Sequence, residues 1–141
     1  MIITFLILLL FIIFLSLGII HFYWAKGGKW GFKNAIPTKE NGNLVMNPKT
    51  IDSIMVGIYL TSIAVFYLLQ IDFFKIYFPF WTIYVSWIVP AIFFLRAIGD
   101  FKYVGFFKKI RTTLFSKWDT QLFSPLCLTI SLIGFLIAYF H

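Results

Sequence analysis

The chain has 141 residues, 61% of them hydrophobic, and its mean hydropathy is +0.93. Soluble domains are about 45–50% apolar, and a soluble fold of this length buries too little surface to hide the excess. The composition therefore excludes a water-soluble domain and predicts an integral membrane protein. The net charge is +7, but the Lys and Arg residues flank apolar runs. Such placement indicates anionic lipid headgroups as partners and no nucleic acid.

Four runs almost without charge have the length that a helix needs to cross a bilayer, roughly 20 residues. Their continuity favours helices over the short alternating strands of a barrel. We therefore predict an all-α fold: an integral membrane four-helix bundle, with residues 1–141 as one four-span transmembrane domain. The predicted helices cover about residues 2–24, 48–70, 79–98 and 124–140.

The first predicted helix reads as a retained anchor, because no basic region precedes its apolar core and no small-x-small cleavage site follows. His21 lies near its end, beside Tyr23 and Trp24. A histidine at the membrane boundary can relay protons or ligate a metal. It can equally bond a loop carbonyl within an anchoring aromatic belt. The sequence leaves both interpretations open.

The second helix has a start signal, since Asn47 can cap it and Pro48 suits its first position. A short connector, residues 72–78, predicts an antiparallel hairpin with the third helix. Pro79 opens that third helix, and Pro90 inside it predicts a kink.

The segment between the third and fourth helices divides into two arcs at helical spacing. The apolar arc holds Val104, Phe107, Ile110, Leu114, Phe115 and Trp118. The polar arc holds Lys108, Lys109, Thr112, Ser116 and Asp119. We predict an amphipathic interfacial helix here; a helix docked on the bundle is the alternative, since periodicity cannot distinguish lipid from protein.

Ser124 and Pro125 read as the cap and first residue of the fourth helix. Just before it, Asp119 can serve as a general base or bond neighbouring backbone amides. Cys127 is the sole cysteine, which excludes an internal disulfide. We interpret it as a small packing residue, although a helix N-terminus favours thiolates.

Basic residues set the predicted orientation. Eleven of the twelve lie in residues 26–49 and 96–117, and only Lys75 lies on the other side. Cytoplasmic loops are rich in Lys and Arg. We therefore expect a multi-pass protein of the cell inner (cytoplasmic) membrane, with loops 26–50 and 99–123 cytoplasmic and both termini outside.

This topology collects the ionisable residues at one membrane face, where a polar site is predicted. The hypothetical catalytic residues are His21, Asp100 and Asp119, and the hypothetical substrate-binding residues are Trp24, Trp30 and Arg96. Arg96 and Asp100 are spaced i, i+4 and can pair, either to hold a headgroup or to offset the insertion of an arginine. No P-loop or zinc spacing occurs and the chain has only two histidines, so we expect no metal and no cofactor.

Three signatures carry a family resemblance. The first is His21–Gly28 with Trp30-Gly31 and Pro37-Thr38, the second is Arg96–Phe101 with Gly105–Lys108, and the third is Asp119-Thr120 with Ser124–Cys127. Together they resemble the bacterial four-span membrane proteins grouped as "domain of unknown function 3995". The resemblance implies a small integral membrane protein of bacterial type and supplies no activity.

Three functions follow as hypotheses. The first is a site at the cytoplasmic interface that binds or acts on a lipid or isoprenoid-like molecule, whether or not it is an enzyme. The second is a non-catalytic membrane-integrity or accessory bundle, with small residues such as Gly57, Ser62 and Ala64 on an exposed face. The third is a small transporter, which requires a homo-oligomer to enclose a path.

Overall fold

The computed structural model describes residues 1–74 and 76–141. Lys75, the one basic residue predicted to lie on the other side of the membrane, is outside the described residues. The chain is 68% helical, and no strand occurs in the part that the structure describes. This confirms the all-α prediction. The helices are α1 (Ile2–Ala25), α2 (Phe32–Ala35), α3 (Thr50–Leu69), α4 (Thr82–Ile98), α5 (Leu114–Trp118) and α6 (Ser124–Phe140).

Three helical segments are long and apolar enough to cross a membrane: Ile2–Ala25, Thr50–Leu69 and Leu114–Phe140. Only 22%, 33% and 28% of their most apolar windows, respectively, is buried within the protein. Such exposed apolar surface is what lipid covers in a membrane protein. The fourth predicted span, α4, has 17 residues, which extend about 25 Å at ~1.5 Å per residue, slightly less than a typical hydrocarbon core.

The chain divides into two compact units. Unit 1 comprises Met1–Gly28, Pro48–Trp87 and Ile133–His141, and unit 2 comprises Lys29–Asn47 and Ile88–Leu132. The division falls within α4 and within α6, so each unit contains part of both helices.

In unit 1, α1 packs along α3 through small residues. A Cβ on Gly18 would meet Thr61 Oγ1 and the Gly57 carbonyl, so the helices approach closely only because Gly18 has no side chain. Phe14 and Tyr67 extend the contact as stacked rings 5.8 Å apart. Gly57 and Ala64 are buried in unit 1 and only Ser62 is exposed, so the expectation of all three on an exposed face is wrong.

Two predicted helix starts differ from the structure. The N-cap of α3 is Lys49, whose backbone N–H donates to Asp52 Oδ2 at 2.7 Å. Asp52 is the third helical residue, so its carboxylate satisfies this N–H as in a capping box, and Asn47 is not the cap. The third predicted helix begins at Thr82 instead of Pro79, which lies in the preceding turn.

The fourth span begins ten residues earlier than Ser124, with α5 at Leu114. Thr113 is its N-cap, and the Thr113 side chain accepts the Ser116 N–H at 3.1 Å. A π turn over Asp119–Phe123 joins α5 to α6. Ser124 is therefore a buried residue inside a continuing helical segment, and its predicted capping role is wrong.

The predicted amphipathic helix over residues 104–119 is not formed as one element. Bends and turns occupy residues 99–113, and only the five residues of α5 are helical before the π turn. The predicted polar arc is largely turned inward, since Lys108, Ser116 and Asp119 are buried. Phe107 from the apolar arc is 63% exposed. Helical spacing assigned the wrong residues to the buried and exposed faces, because residues 99–113 form an irregular loop and not a helix.

Candidate functional site

The polar centre of unit 2 is the carboxylate of Asp119, which is fully buried in the π turn. Its Oδ1 accepts a hydrogen bond from Arg96 Nη2 at 2.9 Å. Its Oδ2 accepts from Lys108 Nζ at 3.0 Å and from the Gly105 N–H at 2.8 Å. π turns insert one residue and re-aim side chains, often at functional sites. Here the turn directs one carboxylate at two cations.

Lys108 is the second buried charge, with no exposed side-chain surface. Its ammonium donates to Asp119, to the Gly105 carbonyl at 2.9 Å and to Thr120 Oγ1 at 2.6 Å. The three protons of an ammonium thus have three acceptors. A buried charge is tolerated when it is paired and fully hydrogen-bonded, so Lys108 and Asp119 form a satisfied ion pair.

Arg96, from the last turn of α4, completes what we call the Asp119 cluster: Asp119, Arg96, Lys108, Gly105 and Thr120. The Arg96 side chain is 33% exposed. Its Nη1 is buried and has no hydrogen-bond partner among the described residues. Two cations around one carboxylate give the cluster a formal charge of +1. That excess charge creates a positive potential at this end of α4.

Asp100 does not pair with Arg96, so the i, i+4 interpretation is wrong. Its Oδ1 instead accepts three backbone N–H groups, from Lys102, Tyr103 and Val104, at 2.8–2.9 Å. Desolvation raises the pKa of the Asp100 carboxyl, but the three amide donors outweigh it, and the pKa lies below its usual value. Asp100 therefore holds the loop that delivers the Gly105 N–H to Asp119.

His21 and Trp24 lie in unit 1, at the end of α1. His21 Nδ1 is 2.8 Å from the Leu17 carbonyl. A carbonyl only accepts, so Nδ1 donates in this contact. The ring meets Trp24 edge to face, with centroids 4.9 Å apart. The aromatic contact matches the anchoring interpretation of His21, whereas the carbonyl partner belongs to the preceding turn of α1 and not to a loop.

The structure thus places the predicted site residues in different settings. Arg96 and Asp119 are in contact, and Asp100 belongs to the same loop system. His21 contacts Trp24 in unit 1, whereas Trp30 is 73% exposed in unit 2. The catalytic role of His21, Asp100 and Asp119 stays a prediction. The geometry gives each of the three a structural hydrogen bond.

Sequence reasoning missed three members of the cluster: Lys108, Gly105 and Thr120. Lys108 was assigned to a solvated arc, because a lysine beside Lys109 usually faces water. The available signal was the second signature, which contains both Gly105 and Lys108. No periodicity argument identifies a buried lysine in an irregular loop.

A shallow depression of about 250 Å³ lies beside the cluster in unit 2. Two cations and three uncharged polar side chains line it: Arg111, Lys117, Ser116, Thr120 and Gln121. No acidic residue is among these lining residues. Arg111 is fixed by hydrogen bonds to the carbonyls of Lys108 and Phe106 at 3.2 and 2.9 Å. This surface is chemically suited to an anion.

Residues 1–74 and 76–141 hold no group of three or more His, Cys, Asp or Glu side chains arranged to bind a metal ion. The chemistry that the structure displays is charge pairing around Asp119 together with an adjoining basic depression.

These features define a helical protein with apolar segments able to span a membrane and a buried charge cluster in unit 2. The chain belongs to the family described as "Protein of unknown function (DUF3995)", whose model matches residues 14–134. The match confirms the resemblance read from the three signatures. Neither the curated proteins nor the solved structures include a match to the chain.

Proposed function

We propose that this protein is a four-span protein of the cytoplasmic membrane that binds an anionic lipid headgroup in the depression beside the Asp119 cluster. The observation that carries the proposal is the lining of that depression, two cations and three uncharged polar side chains without a carboxylate. A lipid phosphate is recognised by such cations together with hydroxyl and amide donors.

Binding is favoured over chemical conversion by the state of Asp119. Both oxygens of this carboxylate already accept hydrogen bonds from Arg96, Lys108 and Gly105. A general base needs a free lone pair within reach of the proton that it removes. The cluster is better suited to hold the loop, and with it Arg111, in a fixed position next to the headgroup.

The depression is selective only if it faces the leaflet that is rich in anionic lipid. Our proposal places the two basic segments in the cytoplasm, on the ratio of eleven basic residues to one. The cation-lined depression, built from residues 111–121, then meets the negatively charged inner leaflet.

The topology can be tested by cysteine labelling in a Cys127→Ser background, since Cys127 is the sole cysteine. Two exposed positions serve as reporters, Lys33→Cys and Phe73→Cys. In intact bacterial cells a membrane-impermeant maleimide is expected to label position 73 and to reach position 33 only after lysis. Labelling of position 33 in intact cells, with none at 73, would overturn the orientation.

The headgroup site can be tested with Lys117→Gln. Removal of one cation near an anionic surface weakens binding by about 1 kcal/mol, or roughly fivefold in Kd. The measurement is a titration of purified protein in neutral detergent with short-chain phosphatidylglycerol. Phosphatidylcholine of the same chain length serves as the reference ligand.

Lys109→Gln is the matched control, because Lys109 is exposed in the same segment but does not line the depression. It should leave the Kd for phosphatidylglycerol within twofold. Equal losses in both variants would mean diffuse charge attraction instead of a site. No preference of the wild type for phosphatidylglycerol over phosphatidylcholine would contradict the proposal outright.

A further inference from the structure

We propose that unit 1 contains a second, independent site, a cavity around the connection between α3 and α4 that binds a neutral glycerolipid. The cavity has a volume of about 520 Å³. This lies within the range of roughly 300–1,000 Å³ that is typical of small-molecule sites. Its lining is mostly aromatic and aliphatic, and includes Phe66, Phe78, Phe80, Ile83 and Ala138.

A buried hydrogen-bond donor in the lining indicates a ligand. Gln70, the C-cap of α3, is only 6% exposed, and its Nε2 has no partner among the described residues. Buried polar groups are nearly always paired, and an unpaired one destabilises the fold. Rotation of the Gln70 amide toward the cavity would let a ligand oxygen accept from Nε2 and would remove this defect.

A second polar group fixes the same end of the cavity. His141 Nε2 is 2.8 Å from the backbone carbonyl of Gln70, so Nε2 donates in this contact. Gln70 and His141 therefore place an amide and an imidazole at one edge of the cavity, while the phenylalanines line the rest. The arrangement suits an amphiphile with an uncharged head that both accepts and donates.

The lining of this cavity differs in charge from the lining of the headgroup depression of unit 2. No Asp, Glu, Lys or Arg is among the described residues that line it. An adjoining recess of about 220 Å³ shares Gln70 and His141 and adds Asp72 at its wall. A carboxylate there repels anionic heads and leaves neutral ones unaffected. The glycerol hydroxyl and ester carbonyls of a diacylglycerol have the required chemistry.

The surroundings of the cavity allow the acyl chains to leave it. Tyr77 and Phe80 are 98% and 83% exposed, so the aromatic rim continues onto the outside of unit 1. A diacylglycerol can therefore place its glycerol head against Gln70 and extend its chains along apolar surface. Only the glycerol head and the first part of each acyl chain need to fit within the cavity.

The test uses wild-type protein in phosphatidylcholine nanodiscs with a diacylglycerol that carries a diazirine near its ester. Cross-linked residues are mapped by mass spectrometry. We expect saturable labelling within residues 76–83, suppressed by an excess of unlabelled diacylglycerol. A phosphatidylglycerol probe with the same diazirine should label residues 111–121 instead, so the two sites fail or succeed separately.

Gln70→Met keeps the length of the side chain and removes the donor. We expect an affinity about tenfold weaker, the loss of one buried hydrogen bond, with a Tm equal to or above that of the wild type. A Gln70 that only supports the fold would give the opposite pair of results, a lower Tm and unchanged affinity. Labelling that does not saturate, or that Gln70→Met leaves unchanged, would mean annular lipid only and would overturn the proposal.

Ala138→Leu is a second variant that fills the cavity and leaves Gln70 in place. It should reduce labelling as strongly as Gln70→Met does. Ser62→Met adds an apolar side chain at an exposed position of α3 and is the matched control. Equal labelling of Ala138→Leu and the wild type would contradict the cavity as the site, even if Gln70→Met failed to fold.

Discussion

Asp119→Asn is expected to destabilise the protein by about 3–5 kcal/mol, the range measured when one partner of a buried ion pair is removed. The substitution keeps the shape of the side chain but leaves the Lys108 ammonium buried without a counter-charge. The nearest remaining acceptors of Lys108 are the Gly105 carbonyl and Thr120 Oγ1, both neutral. The measurement is the free energy of unfolding in mixed micelles, with protein yield from membranes as a second readout.

Adjacent lysines provide the controls for this prediction. Lys109→Met alters an exposed side chain and should change the free energy of unfolding by less than about 0.5 kcal/mol. Lys108→Met leaves Asp119 with Arg96 and the Gly105 N–H, so it should destabilise less than Asp119→Asn does.

The double variant Asp119→Asn with Lys108→Met is the decisive member of the series. It removes both buried charges, so it should be more stable than Asp119→Asn alone. Residues in one hydrogen-bonded network are not additive. If the two single effects simply sum, Asp119 and Lys108 are not coupled as the structure places them.

The fold was predictable where a long apolar run alone determines the outcome. Ile2–Ala25 and Thr50–Leu69 match two predicted helices within two residues at each end, because about 20 uncharged residues leave the backbone no alternative to a helix in lipid. The predicted helix starts at Pro79 and Ser124 are wrong, since a proline can lie in a turn as well as at the start of a helix.

Sequence reasoning named some residues of the Asp119 cluster but not their pairings. Arg96 pairs with Asp119 and Asp100 holds the adjoining loop, whereas Lys108, Gly105 and Thr120 were not among the predicted site residues. The partner of Arg96 is 23 residues away, and helical spacing pointed to Asp100 instead. Local periodicity carries no information on a contact that an irregular loop creates. The burial of Lys108 was missed for the same reason, since Lys108 lies in that loop.

The two proposed sites differ in the charge of the side chains that line them. The depression of unit 2 offers cations to a phosphate, and the cavity of unit 1 offers an amide and an imidazole to an uncharged head. Under these two proposals, the protein discriminates lipids by head charge in two separate places.

Gly99→Ala and Gly105→Ala are expected to destabilise the protein by about 3 kcal/mol or more each, from a strained backbone together with overpacking. Both glycines have φ of +88°, a conformation that L side chains rarely adopt. A Cβ on Gly99 would collide with the carbonyl group of Val104, and one on Gly105 with that of Ile98. These atoms are backbone and cannot move aside as a side-chain end does.

Gly27→Ala and Gly42→Ala separate backbone strain from collision. Their φ values are +92° and +84°, but no atom lies within 4 Å of a Cβ at either position. They should therefore destabilise by only about 1–2 kcal/mol, the strain of a left-handed residue. The free energy of unfolding and the yield from membranes measure all four variants. The collision of a Gly105 Cβ with the Ile98 carbonyl does not involve Asp119, so most of the Gly105→Ala loss should persist in an Asp119→Asn background. A much smaller loss in that background would show that the glycine turn is held in place by the bond of its N–H to Asp119.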